Sequence, residues 1–178
     1  ISSKDKYLFE RNKYQNCHQV EKYNYYINDS LKTDFKAGKL NIKPSLNSSF
    51  NYSGPVVGIN PGSSYGEAKR WYPEEYVEVC VKLSLQYNIV IFGGPGEEDI
   101  ALDIEKLLIE NGIQNYQNLA AKTSINELIN HIANLDLFIT GDSGPMHLAA
   151  AFQIPTVAIF GSTNDKESSQ WMNEKSMI

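Results

Sequence analysis

Between residues 54 and 161 the chain alternates short apolar runs with longer stretches of helical period. The runs at residues 56–60, 89–92, 135–140 and 156–160 are almost continuously apolar, as strands are when both faces of a parallel sheet are covered. A weaker run at 116–119 fits a further strand. Pro73 opens a predicted helix with Glu74 and Glu75 in its first turn and an apolar stripe of Tyr76, Cys80, Leu83 and Tyr87. Ile100, Ile104, Leu107 and Leu108 form the buried face of the next, which starts at Glu97, Glu98 and Asp99 and is closed by Gly112. Ser124 with Glu127 makes a capping box ahead of Ile125, Leu128, Ile129 and Ile132, and Pro145 starts a short helix ending near Phe152. This alternation predicts an α/β fold, a Rossmann-like parallel sheet with helices on both faces.

Three zones follow from the pattern. Residues 1–53 are polar and rich in Tyr and Asn, with one helical stripe at Val20, Tyr23, Ile27 and Leu31 and a linker at 37–51. Residues 54–164 carry the sheet, and residues 165–178 are polar without a period, a segment that reads as truncated. The 178 residues suit one such domain, and the first residue, Ile1, fits a piece of a longer protein. A net charge of −5 gives no ground for general nucleic-acid binding. Cys17 and Cys80 form no C-x-x-C pair, which leaves no disulfide framework or zinc knuckle and makes a reducing, cytoplasmic compartment the expectation. No apolar run reaches the roughly 20 residues of a membrane span. Lys4, Lys6, Arg11 and Lys13 are interleaved with acidic residues, as on a solvated face, although such cations can also meet an anionic lipid.

In a parallel sheet ligands bind beyond the carboxyl ends of the strands, so the chemistry is sought in the loops there. The first loop holds Gly62, Ser63, Ser64, Gly66, Lys69 and Arg70. Glycines that let the backbone approach, hydroxyls and two cations suit a phosphate or diphosphate; a plain loop with two solvated cations fits equally. The second loop, Gly93-Gly94-Pro95-Gly96, leads into Glu97 and Glu98, which can accept from ribose hydroxyls or simply complement a helix dipole. The loop from Thr140 to Ala151 is the most specific. Ser143 and Gly144 stand at a helix start suited to an anion, where Ser143 can cap the helix. Asp142 repels phosphate and can accept from sugar hydroxyls, or act as a turn residue; His147 can face a ligand or lie buried against the sheet. No Walker A loop, G-x-G-x-x-G fingerprint, G-x-S-x-G elbow, H-E-x-x-H or D-x-D pair occurs near these loops, so a metal is not required.

The stretches Asn60-Pro61-Gly62-Ser63 through Ala68-Lys69-Arg70-Trp71, and Thr140-Gly141-Asp142-Ser143-Gly144-Pro145-Met146-His147 with Phe160-Gly161-Ser162-Thr163, resemble the two donor-domain motifs of the lipopolysaccharide heptosyltransferase family. His18 to Tyr23 more loosely resembles the segment before that family's hinge. The likeness is strongest to members that add the second inner-core heptose. It implies the C-terminal half of a two-domain GT-B glycosyltransferase, an inverting, metal-independent enzyme needing no cofactor. Its donor would be ADP-heptose and its acceptor the lipopolysaccharide core, in the cytoplasm or at the cytoplasmic face of the inner membrane of a bacterium. By the same resemblance Ser63, Ser64 and Lys69 hold the diphosphate, Asp142 contacts the heptose, and Ser143, Gly144, Met146 and His147 line the phosphate and nucleoside side. Glu97 or Glu98 contacts the ribose, and Lys69 and Asp142 are the catalytic candidates. The general base belongs to an N-terminal acceptor domain of which only the tail, with a hinge helix and linker, is read into residues 1–53, so the chain is expected to bind donor and transfer little alone. A UDP-sugar transferase or epimerase, a dinucleotide-type binding module and a ligand-free interaction domain are the alternatives.

Overall fold

A computed structural model describes residue 14 and residues 17–44, 52–63 and 66–178. Helix α1 (Gln19–Leu31) precedes a succession of strands and helices: β1 (Val56–Asn60), α2 (Pro73–Leu83), β2 (Asn88–Ile91), α3 (Glu98–Glu110), β3 (Tyr116–Asn118) and α4 (Ile125–Ala133). Then come β4 (Leu137–Gly141), α5 (Gly144–Phe152), β5 (Thr156–Ile159), α6 (Asp165–Ser168) and β6 (Ser176–Met177). A 3-10 turn at Glu67–Lys69 lies between β1 and α2.

All strand pairs are parallel, in the order β3-β2-β1-β4-β5-β6. The two-residue period of the strands sorts their side chains onto two faces. Val57, Ile59, Ile89, Ile91 and Ile139 pack under Tyr76, Val77 and Cys80 of α2 and Ile100, Ile104 and Leu108 of α3. Val56, Val90, Phe92 and Phe138 pack on the other face against Ile132 of α4, Leu135, Ala149 of α5 and Ile154. Both faces are covered, which explains the unbroken apolar runs in sequence. Gly58 lies where β1 meets the second cluster, and a Cβ there would stand 2.6 Å from Leu135, 2.8 Å from Phe92 and 3.0 Å from Phe138.

Local signals place most boundaries. Pro73 occupies the first turn of α2, and the Ser124–Glu127 capping box closes the start of α4 in both directions. Gly112, at φ 75°, takes the left-handed conformation just beyond α3. The structure adds what the pattern alone does not give. Ile125, grouped in sequence with Leu128, Ile129 and Ile132 on one side of α4, is 71% exposed, while Asn130 and His131 at its far end are buried. Tyr52 Oη lies 2.7 Å from Nδ1 of His131, and Phe92 meets its ring edge-on, so a polar residue sits in the core with partners. Residues 165–178, which show no period in sequence, supply α6 and a sixth strand, and Asn173 donates to Ile154 O at 2.8 Å to hold the turn between them. Elements of four and two residues are too short to show a period. The α1 stripe forms as a helix, capped by His18 and Glu21, but no residue of α1 is buried among the described residues.

Replacing Gly58 by Ala is expected to destabilise the fold by about 1–3 kcal/mol, the usual cost of overpacking a core. Thermal or urea unfolding of the two proteins measures it, and equal stabilities would show that Leu135 and the two phenylalanines yield freely.

Candidate functional site

The strand order turns back at one place. From β1 the chain steps outward through β2 and β3, then returns to β1's other side with β4 and moves outward again. The loops after β1 and β4 therefore leave the sheet side by side and diverge, opening a crevice at the carboxyl ends of these strands. A cavity of about 340 Å³ lies there. Its polar wall carries Asn60, Ser63, Lys69, Asp142, Ser143 and Gly144. Its less polar wall carries Pro95, Ala121, Thr123, Ile125, Leu128 and Pro145.

The 3-10 turn at Glu67–Lys69 brings Lys69 back over the end of β4, and its Nζ donates to Asp142 Oδ2 at 2.9 Å. Their side chains are 23% and 10% exposed, so the pair is largely withdrawn from water. The close approach depends on Gly141, where a Cβ would stand 3.2 Å from Lys69 O. Burial raises the pKa of Asp142, but the hydrogen bond and charge of Lys69, together with the Thr163 and Ser168 hydroxyls beside it, outweigh burial and hold the carboxyl below its ordinary value of 3.8.

Ser143 is the N-cap residue of α5 by backbone position, but its side chain makes no cap bond. Its Oγ instead lies 3.0 Å from Thr140 Oγ1 and accepts from Asn60 Nδ2 at 3.4 Å. The side-chain cap that Ser143 can make is not formed. Two buried polar groups at the strand ends, Asn60 and Thr140, draw the hydroxyl sideways and leave the helix start facing the cavity. Gly144, with nothing within 4 Å of a Cβ position, leaves the backbone there open to a ligand.

The remaining predicted residues divide. Ser63 is buried and lines the cavity, whereas Ser64 lies outside the described residues, as do Lys4, Lys6, Arg11 and Lys13. Glu97 lines the cavity; it is buried, accepts from Gly94 N at 2.6 Å, and lies where a Cβ on Gly62 would strike its carboxylate. Glu98 is exposed, accepts from Gly96 N at 2.6 Å, and does not line the cavity. Met146 is fully buried and contributes no side-chain surface. His147 is partly buried outside the cavity lining. Its pKa is lowered by burial, against the pull of Asp142 and with the help of His18, so the imidazole is neutral at neutral pH. Arg70 turns back to donate to Ser63 O at 3.3 Å, bracing the first loop.

The less polar wall was not foreseen. Ala121, Thr123 and Ile125 follow β3, and the strand-end rule that directed attention to the other loops applies to this one as well. Asn60 and Thr140 stand within the quoted motifs, but only the pairing of β1 with β4 places them side by side.

The family model described as glycosyltransferase family 9 (heptosyltransferase) matches residues 4–178. The chain belongs to this family. It is 41% identical over 183 residues to lipooligosaccharide heptosyltransferase 2 of Campylobacter jejuni serotype O:2, and the match covers all of this chain and 57% of that protein. The counterpart in Haemophilus influenzae is 38% identical over 111 residues, covering 62% of this chain and 32% of that one. The structure of Escherichia coli ADP-heptose lps heptosyltransferase II superposes with a TM-score of 0.67 at 30% identity, over 72% of this chain and 39% of that one. The chain thus spans about half the length of the curated Campylobacter relatives that it matches over its whole length. The two quoted motifs of this family 9 chain face each other across the Lys69–Asp142 pair.

Because the folded pKa of Asp142 is depressed, the stability it contributes is complete above its unfolded value and is lost as pH falls through the folded one. Lys69→Met is expected to raise the Asp142 pKa and to move acid unfolding to higher pH. A carboxyl-carbon NMR titration reads the first and an acid melt the second. An unshifted Asp142 would mean that Lys69 is not what keeps it ionised.

Proposed function

We propose that the cleft binds an ADP-sugar and that the protein transfers heptose from ADP-heptose to the lipopolysaccharide inner core. The observation that carries this reading is the Lys69–Asp142 pair beside the open start of α5. One wall offers a cation and a helix N-terminus to a diphosphate, and the same wall offers a carboxylate to sugar hydroxyls. The less polar wall of Ala121, Ile125, Leu128 and the two prolines suits a nucleobase. The relatives' names supply the donor and acceptor: the Escherichia coli structure is an ADP-heptose heptosyltransferase, and the Campylobacter protein is a lipooligosaccharide heptosyltransferase 2.

In the proposed reaction an acceptor hydroxyl attacks the anomeric carbon from the face opposite the diphosphate, and a base takes its proton as the new C–O bond forms. The bond to the diphosphate breaks with its electron pair, the anomeric configuration inverts, and ADP leaves. Lys69 and the N–H groups at the start of α5 meet the charge that develops on the leaving oxygen, so no divalent ion is assigned to this step. Ser63 and Ser64 complete the diphosphate site, and Glu97, on the cleft side of the second loop, is assigned the ribose in preference to Glu98. Met146 keeps a part only through its backbone, and His147 a place behind the site. No helix among the described residues is long and apolar enough to cross a membrane. We place the reaction at the cytoplasmic face of the inner membrane, where a lipid-linked acceptor and a soluble nucleotide sugar meet.

Calorimetric titration with ADP and UDP tests the reading. ADP is expected to bind more tightly than UDP. Lys69→Ala is expected to weaken ADP about tenfold or more, the worth of a charge-assisted contact. Tighter UDP binding would move the chain to a uridine-sugar enzyme of the same fold, and an unaffected Lys69→Ala would remove the diphosphate from this wall.

A further inference from the structure

The apolar stripe that the sequence writes along α1 is left mostly in water. Tyr23, Ile27 and Leu31 are neighbours on one helix face at a spacing of four, and all three are exposed, Leu31 at 68%. From Tyr23 to Leu31 the stripe runs about 12 Å. Lys32 then takes the left-handed conformation at φ 57° and turns the chain out of the helix. The Asn28 side chain holds the turn: its Oδ1 accepts from Thr33 Oγ1 at 2.9 Å and from Phe35 N at 3.0 Å, and its Nδ2 donates to Phe35 O at 2.7 Å. One amide thus satisfies both backbone groups of Phe35 at the end of the stripe, while the Phe35 side chain is 71% exposed. A lone apolar side chain in water needs no explanation, but a row continued by a turn of fixed backbone points to a partner outside the chain.

Charge says which partner. Lys32, Lys36, Lys39 and Lys43 follow the stripe, and Asp34 is the one acidic residue between positions 30 and 44. All four lysines are exposed. Lys39 Nζ reaches Gln153 Oε1 at 3.4 Å and Glu174 Oε1 at 3.9 Å, and the other three meet no carboxylate among the described residues. Residues 33–44 form no helix or strand, yet Trp171 Nε1 donates to Gly38 O at 2.9 Å and ties the middle of the segment to the domain. The chain as a whole carries −5, so this cluster runs against its overall charge.

We infer that the exposed stripe of α1 and the lysine-bearing turn after it form one face that docks on an anionic lipid bilayer. Leu31 and Phe35 enter the boundary between headgroups and acyl chains, and the lysines meet the lipid phosphates. Neither signal holds a protein to a membrane well alone, and here the two are adjacent. An acidic chain is repelled by such a surface everywhere except at this face, so the charge also sets its orientation. An identical face on a second copy of the chain has one aspartate with which to meet four lysines, and does not neutralise them. The inference is independent of what the cleft binds.

Co-sedimentation of the 178-residue chain with phosphatidylcholine vesicles, plain or carrying phosphatidylglycerol, tests it. The chain is expected to bind the vesicles with phosphatidylglycerol, to bind the plain ones far less, and to let go as salt is raised. Phe35→Ala is expected to weaken binding about fivefold or more through lost apolar contact. Lys32→Gln with Lys36→Gln is expected to weaken it about tenfold or more. Asn28→Ala keeps every charge and the Phe35 ring but frees the turn, and is expected to weaken binding in the same direction. Lys82→Gln with Lys106→Gln, which removes exposed cations of α2 and α3, is expected to change nothing. Thermal unfolding shows that each variant keeps its fold. No binding, equal binding to both kinds of vesicle, or an equal loss in the α2 and α3 pair overturns the inference. Self-association that Phe35→Ala abolishes, with no vesicle binding, overturns it in favour of a second copy. No nucleotide enters the test, so any of these outcomes leaves the reading of the cleft standing.

Discussion

Two neighbouring parallel strands whose following segments depart in opposite directions leave a gap at their carboxyl ends that no backbone can fill. In this chain the strands are β1 and β4. Helices α2 and α3 cover one face of the sheet, and α4 and α5 the other, because a two-residue period sends alternate side chains to each. The crevice is thus a consequence of covering both faces of a parallel sheet. The polar residues of the site are those the chain places at its rim. The loop after β1 is laid directly on the ends of β4 and β5: Lys69 O stands against Gly141, and Ala68 O 3.1 Å from where a Cβ of Gly161 would be. Side chains at either glycine would lift the loop and carry Lys69 away from Asp142.

The elements were legible where their causes are local. Pro73, the Ser124–Glu127 box and Gly112 act within one turn of helix, and the apolar runs mark four strands to within two residues at either end. The two motif loops were legible too, since the resemblance rests on residue types in order. What stayed hidden depends on partners far away in sequence. Ser143 has the composition and place of a cap, and nothing local says that Asn60 and Thr140 will take its hydroxyl. Glu97 and Glu98 look alike at a helix start, and only the approach of Gly62 separates the buried carboxylate from the exposed one. The last segment showed no period because its order comes from His18, Lys22 and Gly38 rather than from its own pattern.

If the cleft takes a nucleotide sugar as proposed, the Lys69–Asp142 pair bears on selectivity between nucleotide and nucleotide sugar. An ammonium has three donors and an ionised carboxylate about four acceptor positions, so neither is exhausted by one contact. On the proposed reading Lys69 can meet a phosphate oxygen without releasing Asp142, and Asp142 can accept from sugar hydroxyls without releasing Lys69. The orientation of both is set by folding, so little ordering remains to be done on binding. A nearly neutral pair attracts a bare diphosphate less than an unpaired lysine would, since the carboxylate opposes it. A sugar reverses that balance by giving the carboxylate hydroxyl donors of its own. On the proposed reading the pair therefore favours the intact donor, and once the sugar has been transferred ADP faces a carboxylate stripped of its hydroxyl partners, which speeds its departure.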